Sequence, residues 1–219
     1  MLGICIITEN IEKSLPLLSQ LSKDIAIIEF RADALSQHSI DSIQSQLQLL
    51  KKNTSLPILF TLRSKREGGN FQNNEEMIFE ILHMAIKEEC AYIDMEIHWS
   101  KENIRNLIKN KGKSKIIASF HNYEKTYTQK GLRHIARRCM YTKADIIRIG
   151  MTAQCIQDNM RVFELIDFIN KKYKTPIISY CMGDKGRISY VLGNNIGSAM
   201  TIVSVDQLTH IQSLQKQLL

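Results

Sequence analysis

Short apolar runs alternate along this chain with longer stretches of helical period. Residues 3–8, 26–33, 58–63, 92–97, 115–121, 145–150, 176–182 and 198–204 are dominated by β-branched, aliphatic and aromatic side chains. Each is too short for a helix and is read as a strand. Between them, Leu15, Leu18 and Leu21 predict an amphipathic helix over 11–23, and a second is expected from Asp41 to Lys52. Met77, Ile78, Ile81, Leu82 and Ala85 recur at helical spacing within 74–90. Further helices are read over 124–140 and 156–172, Gly183-Asp184-Lys185-Gly186 turns out of the seventh strand, and Asp206 is placed as the cap of a closing helix that reaches Leu219. Parallel strands need such crossovers. Eight strands with helices or helical turns between them predict a (β/α)8 barrel, one domain over residues 1–219, rather than an open doubly wound sheet. The barrel closes only if strand eight pairs with strand one.

The strand ends carry charge that a plain core has no use for. Period two puts Glu29, Arg31 and Asp33 on one side of the second strand. Arg63 and Glu67 follow the third strand, Asp94 and Glu96 share a face of the fourth, His121 ends the fifth, and Arg148 stands among isoleucines in the sixth. A guanidinium cannot shed its proton, so Arg148 needs a carboxylate among Glu29, Glu67, Asp94 and Glu96 if it is buried. In barrels of this kind chemistry sits at the C-terminal ends of the strands. His121 amid carboxylates and guanidinia reads as a general acid/base. No metal is expected, because His98 falls at the start of a loop and no other histidine ends a strand.

Composition narrows the partners. The net charge of +7 comes from lysines and arginines scattered near helix ends, such as Lys51-Lys52 and Lys171-Lys172, without aromatic interleaving, so no nucleic-acid partner is expected. No apolar run approaches the roughly 18 residues of a membrane span, and no basic leader pattern opens the chain, which leads to the expectation of a cytoplasmic protein away from membranes. Cys5, Cys90, Cys139, Cys155 and Cys181 form no Cys-x-x-Cys pair and suggest neither a disulfide framework nor a zinc knuckle. Gly183-x-x-Gly186 is too short for a dinucleotide fingerprint.

Several motifs, in order and each at a strand end, resemble the type I 3-dehydroquinate dehydratases. They are Ile28-Glu29-Phe30-Arg31-Ala32-Asp33, Thr61 through Gly69, Asp94-Met95-Glu96, Ser119-Phe120-His121-Asn122-Tyr123, Ala144-Asp145-Ile146-Ile147-Arg148-Ile149, and Met182 through Ser189. The resemblance spans nearly the whole chain. It implies a cofactor-free lyase, commonly a homodimer, that converts 3-dehydroquinate to 3-dehydroshikimate and water. By the same resemblance His121 is the general base and acid, Glu96 belongs to the catalytic group, and Glu29, Arg31, Arg63 and Glu67 line the substrate pocket. Arg148 stands where the family has its imine-forming lysine, and a guanidinium has no usable nucleophilic lone pair. Tyr190 stands where the family clamps the substrate carboxylate with arginine. The Ser-Ala-Pro-Gly-Gln lid after strand eight is missing. Two classes of function follow. One is a dehydratase in which Arg148 helps only electrostatically or Lys125 or Lys185 replaces the nucleophile; the other is a silent or repurposed barrel that binds an anionic small molecule or a protein.

Overall fold

The computed structural model describes residues 1–21, 23–72, 74–205 and 208. Eight strands are present among the described residues: β1 Leu2–Ile6, β2 Ile25–Arg31, β3 Ile58–Thr61, β4 Tyr92–Glu96, β5 Lys115–His121, β6 Ile146–Thr152, β7 Ile177–Met182 and β8 Thr201–Ser204. All pair in parallel in the order β7-β6-β5-β4-β3-β2-β1-β8. Leu2 to Cys5 lie against Thr201 to Ser204, so strand eight meets strand one as the barrel reading requires. Between β7 and β8 the seam is narrower: Ala199 N donates to Ile177 O at 2.7 Å, and no ladder joins the two strands among the described residues. The molecule is a nearly closed (β/α)8 barrel.

Seven helices surround the strands among the described residues: α1 Leu15–Leu18, α2 Ile40–Lys52, α3 Glu75–Lys87, α4 Lys101–Lys109, α5 Gln129–Tyr141, α6 Asp158–Tyr173 and α7 Arg187–Ile196. Side-chain caps fix where four of them begin. Ser39, Asn74, Ser100 and Thr128 accept from the backbone N–H three residues on, supplying partners that the first turn lacks. Thr128 explains a correction. The helix expected from residue 124 begins at Gln129, because Asn122 Oδ1 accepts from the backbone N–H groups of Glu124 and Lys125 and holds that stretch as a turn. The expected helix over 11–23 is also shorter. Asn10 caps a 3-10 turn over Ile11–Ser14, and only Leu15–Leu18 is α-helical. The second strand ends at Arg31, and Ala32–Ala34 turns into a 3-10 segment. Helices α4 and α7 went unread in the sequence. The closing helix expected from Asp206 lies outside the described residues.

The core is double. Apolar faces of α2 to α6, including Leu47, Leu82, Leu107, Leu132 and Leu165, bury against the outward strand residues. Inside the barrel, period two assigns inward positions that stack in layers. The lower layer includes Ile27, Leu59, Ile117, Ile146, Ile178 and Ile202, all buried in one apolar cluster. One step further toward the strands' C-terminal ends, the same alternation gives Glu29, Thr61, Asp94, Ser119, Arg148 and Tyr180, which are also buried. The apolar floor therefore carries a charged layer.

Candidate functional site

Arg148 is the centre of that layer. Its NH1 donates to Glu29 Oε1 at 2.5 Å and to Asp94 Oδ2 at 3.3 Å, its NH2 to Glu29 Oε2 at 3.3 Å, and its Nε to the Tyr180 hydroxyl at 3.2 Å. The carboxylate required for a buried guanidinium is thus supplied twice, by Glu29 and Asp94. Thr61 donates its hydroxyl to Glu29 Oε1 at 2.7 Å. Burial would raise the Glu29 pKa, but the charge and hydrogen bonds of Arg148 outweigh it and hold the carboxyl at about 2. Glu29 is ionised at neutral pH.

A second guanidinium repeats the arrangement one strand pair away. Arg63 is buried; its NH2 meets Asp94 Oδ1 at 2.9 Å, and its NH1 meets Glu96 Oε1 at 3.1 Å and Glu67 Oε2 at 3.4 Å. The Ser119 hydroxyl donates to Asp94 Oδ1, and Ser64 donates both its backbone N–H and its hydroxyl to Glu96. Asp94 thereby joins the two arginines. The turn that delivers Glu67 depends on Gly68, whose φ of 75° lies in the left-handed region.

His121 closes the network from above. Its backbone N–H donates to Glu67 Oε2 at 3.0 Å, its Nδ1 lies 3.0 Å from the same oxygen, and its Nε2 lies 3.0 Å from the Tyr180 hydroxyl. Arg148 Nε already donates to that hydroxyl, so the Tyr180 proton is directed at His121 Nε2 and the imidazole proton at Glu67. Burial, with the positive charges of Arg63, Arg148 and Arg31, holds the His121 pKa well below its ordinary value, which keeps the ring neutral. Burial and the neighbouring Glu96 push Glu67 up to about 7, against the lowering hydrogen bond from His98. Gly150 makes the fit possible. A Cβ there would stand 2.6 Å from His121 Cδ2 and 3.1 Å from the Tyr180 ring.

Glu29, Arg63, Glu67, Glu96, His121 and Arg148 therefore converge, as their strand-end positions suggest. Arg31 is hydrogen-bonded to Asp33 instead, although its charge acts on Glu29 and His121. It makes a two-pronged pair with Asp33 at 2.8 Å per contact, and Asp33 also accepts from the backbone of Arg63 and Asn70, so this pair fastens loops at the rim. Tyr190 is buried on α7 with its ring centroid 5.1 Å from that of Tyr180. Lys125 and Lys185 are exposed on the turns after β5 and β7, and Lys185 Nζ donates to Gln154 O. Besides the hydroxyl partners Thr61, Ser64 and Ser119, Tyr180 and His98 were missed in the sequence. Tyr180 shares the inward parity of Ile178 and stands in register with Gly150, which was the available signal. His98, read as a loop residue, places Nδ1 3.4 Å from Glu67 Oε1 and Nε2 3.6 Å from Glu96 Oε2. Glu67, Glu96 and His98 bring possible ligand atoms within 4.8 Å of one another, but Arg63 already occupies both carboxylates and opposes a cation there.

The arrangement sets a neutral imidazole between the Glu67 carboxyl and the Tyr180 hydroxyl, with the fixed charges of Arg63 and Arg148 nearby. No helix of the described residues is long and apolar enough to cross a membrane. Comparisons with known proteins agree with the barrel. The model of the type I 3-dehydroquinase family matches residues 2–214. A pentafunctional AROM polypeptide of Schizosaccharomyces pombe is 31% identical over 195 residues, covering 84% of this chain and 12% of that polypeptide. A chloroplastic bifunctional 3-dehydroquinate dehydratase/shikimate dehydrogenase of Arabidopsis thaliana is 33% identical over 181 residues, covering 82% of this chain and 29% of that protein. The chain thus spans less than a third of the length of these curated relatives. The solved dehydroquinate dehydratase and shikimate dehydrogenase of S. pombe AroM superposes with a TM-score of 0.84 at 30% identity, covering 92% of this chain and 39% of that one. A type I 3-dehydroquinate dehydratase of Clostridium difficile, solved with covalently modified comenic acid, gives a TM-score of 0.91 at 24% identity over 99% of this chain and 91% of that one, a likeness of fold.

Proposed function

Because the chain belongs to the type I 3-dehydroquinase family, we propose that its barrel acts on 3-dehydroquinate by the family's overall reaction, loss of water to give 3-dehydroshikimate, without a covalent imine at residue 148. The observation that carries this reading is the placement of a neutral, buried His121 between Glu67 and Tyr180, beside a permanently charged Arg148. When Tyr180 turns away, His121 Nε2 takes the proton from the carbon next to the ketone. The C–H electron pair moves into the carbonyl, whose oxygen becomes negative. Arg148 has five N–H groups and makes four hydrogen bonds, which leaves one on NH2 for that oxygen. Collapse of the enolate then breaks the C–O bond one carbon further on, and the His121 imidazolium returns the proton to the departing hydroxyl as water. Base and acid are the same ring, and atoms balance.

An arginine in place of the imine-forming lysine supplies charge but no electron sink, so turnover in this reading is slow. The carboxylate of the substrate also lacks its family clamp, since Tyr190 stacks on Tyr180 instead of presenting a cation. A catalytically silent barrel is the second reading, favoured by the engagement of four of the five Arg148 N–H groups and by the Tyr180 hydroxyl that caps the basic nitrogen. The ultraviolet absorbance of the conjugated product separates the two. Slow product formation that disappears in His121→Gln, with the near-ultraviolet dichroism of the fold retained, supports the dehydratase. No product from either protein at substrate saturation supports the silent barrel. A homodimer in the cytoplasm belongs to the first reading. Light scattering that returned the single-chain mass of 25.2 kDa at high concentration would count against the dimer.

A further inference from the structure

A groove of about 480 Å³ lies between the turn after β4 and helices α4 and α5, lined by His98, Trp99, Lys101, Arg105, Arg138 and Tyr141. Its size falls in the range of small-molecule sites. The charges around it are arranged against the local helix. Lys101 is the first residue of α4, where the helix dipole disfavours a cation, and Arg105 stands four residues on, where a like charge repels it. Arg138 approaches from α5. Among the described residues none of these three cations forms an ion pair with an acid, while Tyr141 is 83% exposed and Trp99 half-buried beside them. Ile97 and Ile104 form a buried apolar floor.

We propose that this groove binds a small planar anion, an aromatic ring carrying a carboxylate. Its ring would lie against the Trp99 and Tyr141 faces and its acid group among Lys101, Arg105 and Arg138. Arginine suits this role because its planar fork matches a carboxylate and its face stacks on rings. The site is separate from the proton-transfer layer but touches it through one residue. His98 stacks on Trp99 with centroids 4.0 Å apart and reaches Glu67 and Glu96 with its two nitrogens. The binding claim holds whether or not the barrel turns over substrate.

Trp99 is the one tryptophan in the chain, so its emission reports the groove directly. Titration of the full chain with 4-hydroxybenzoate is expected to quench that emission saturably, while 4-hydroxybenzamide and acetate at equal concentration do not. Arg105→Gln combined with Arg138→Gln, both exposed and outside the charged layer, is expected to weaken binding by about tenfold or more. Carbon-13 signals of the His98 ring are expected to shift on saturation of the wild-type protein. Quenching without saturation, equal quenching by the amide or acetate, or unchanged affinity in the double variant would overturn the proposal. So would ultracentrifugation showing the groove closed by a second copy of the chain, with Trp99 emission dependent on protein concentration alone.

Discussion

Two adjacent layers of the same barrel interior are built on opposite terms. The lower one, with Ile27, Leu59, Ile117, Ile146, Ile178 and Ile202, gains free energy from each apolar surface it removes from water, largely independently of its neighbours. The layer above, with Glu29, Asp94, Arg63 and Arg148, must first take charges out of water and recovers that cost only if every contact is made. One layer degrades gracefully; the other holds only when complete. An arginine can enter the upper layer without loss of fold because Glu29, Asp94 and Tyr180 satisfy it, so the chemistry of this position can change while the barrel does not.

The largest expected break of that contrast is Arg148→Met. It strands Glu29 beside an apolar chain and leaves Asp94 only its Arg63 partner, and urea unfolding should show a loss of about 3–5 kcal/mol. Adding Glu29→Gln should recover part of the loss, since the penalty belongs to the unpaired charge. An unchanged midpoint in the single variant would mean that the pair contributes nothing.

The pH dependence is next in size, and its two carboxyls act in opposite directions. Glu29 has a folded pKa of about 2, below its ordinary value of 4.5, so the stability it contributes is present above 4.5 and is lost as the pH falls toward 2. Glu67 is raised to about 7, so the folded state holds its proton longer than the unfolded chain, and stability rises as the pH falls from 7 to 4.5. Each limb has a limiting slope of about 1.4 kcal/mol per pH unit. His121, whose pKa is held well below its ordinary value, costs stability as the pH falls below about 6.5 and opposes the Glu67 limb there, so unfolding free energy should be nearly level from about 6.5 to 4.5 and fall below that. Glu67→Gln should uncover the His121 loss below about 6.5 and leave the Glu29 limb.

The smallest effect is reserved for the apolar layer. Ile117→Val removes one methylene where neighbours can partly close in, and should cost about 0.5–1.5 kcal/mol without changing the pH profile. A loss as large as that of Arg148→Met would erase the distinction between the layers.

How much of this was legible in the sequence follows the same division. Apolar runs and parity place the strands, and carry Glu29, His121 and Arg148 to one end, because period two needs no tertiary information. Helix α4 was hidden because it buries only Ile104 and Leu107, too narrow a stripe to stand out. Helix α7 was hidden by its glycine and its short length. Within the site, the partners that escaped were mostly neutral or ambiguous: Thr61, Ser64, Ser119, Tyr180 and His98. A hydroxyl carries no charge signal, and its partner is set by register across strands, as with Tyr180 opposite Gly150. Arg31 sits apart in its hydrogen bonding for a backbone reason. Its charge and parity marked it for the network, but the chain turns at Ala32 and folds Asp33 back onto it.

The central claim is that the barrel keeps the family's proton-transfer group while residue 148 forms no covalent bond to substrate. Incubation of the full chain with 3-dehydroquinate and borohydride, followed by intact and peptide mass spectrometry, tests it most directly. The account predicts no mass increase at any position, because Arg148 has no neutral amine to offer and Lys125 and Lys185 are exposed on rim turns. A reduced adduct on Lys125, Lys185 or any other residue would contradict it and establish a relocated nucleophile.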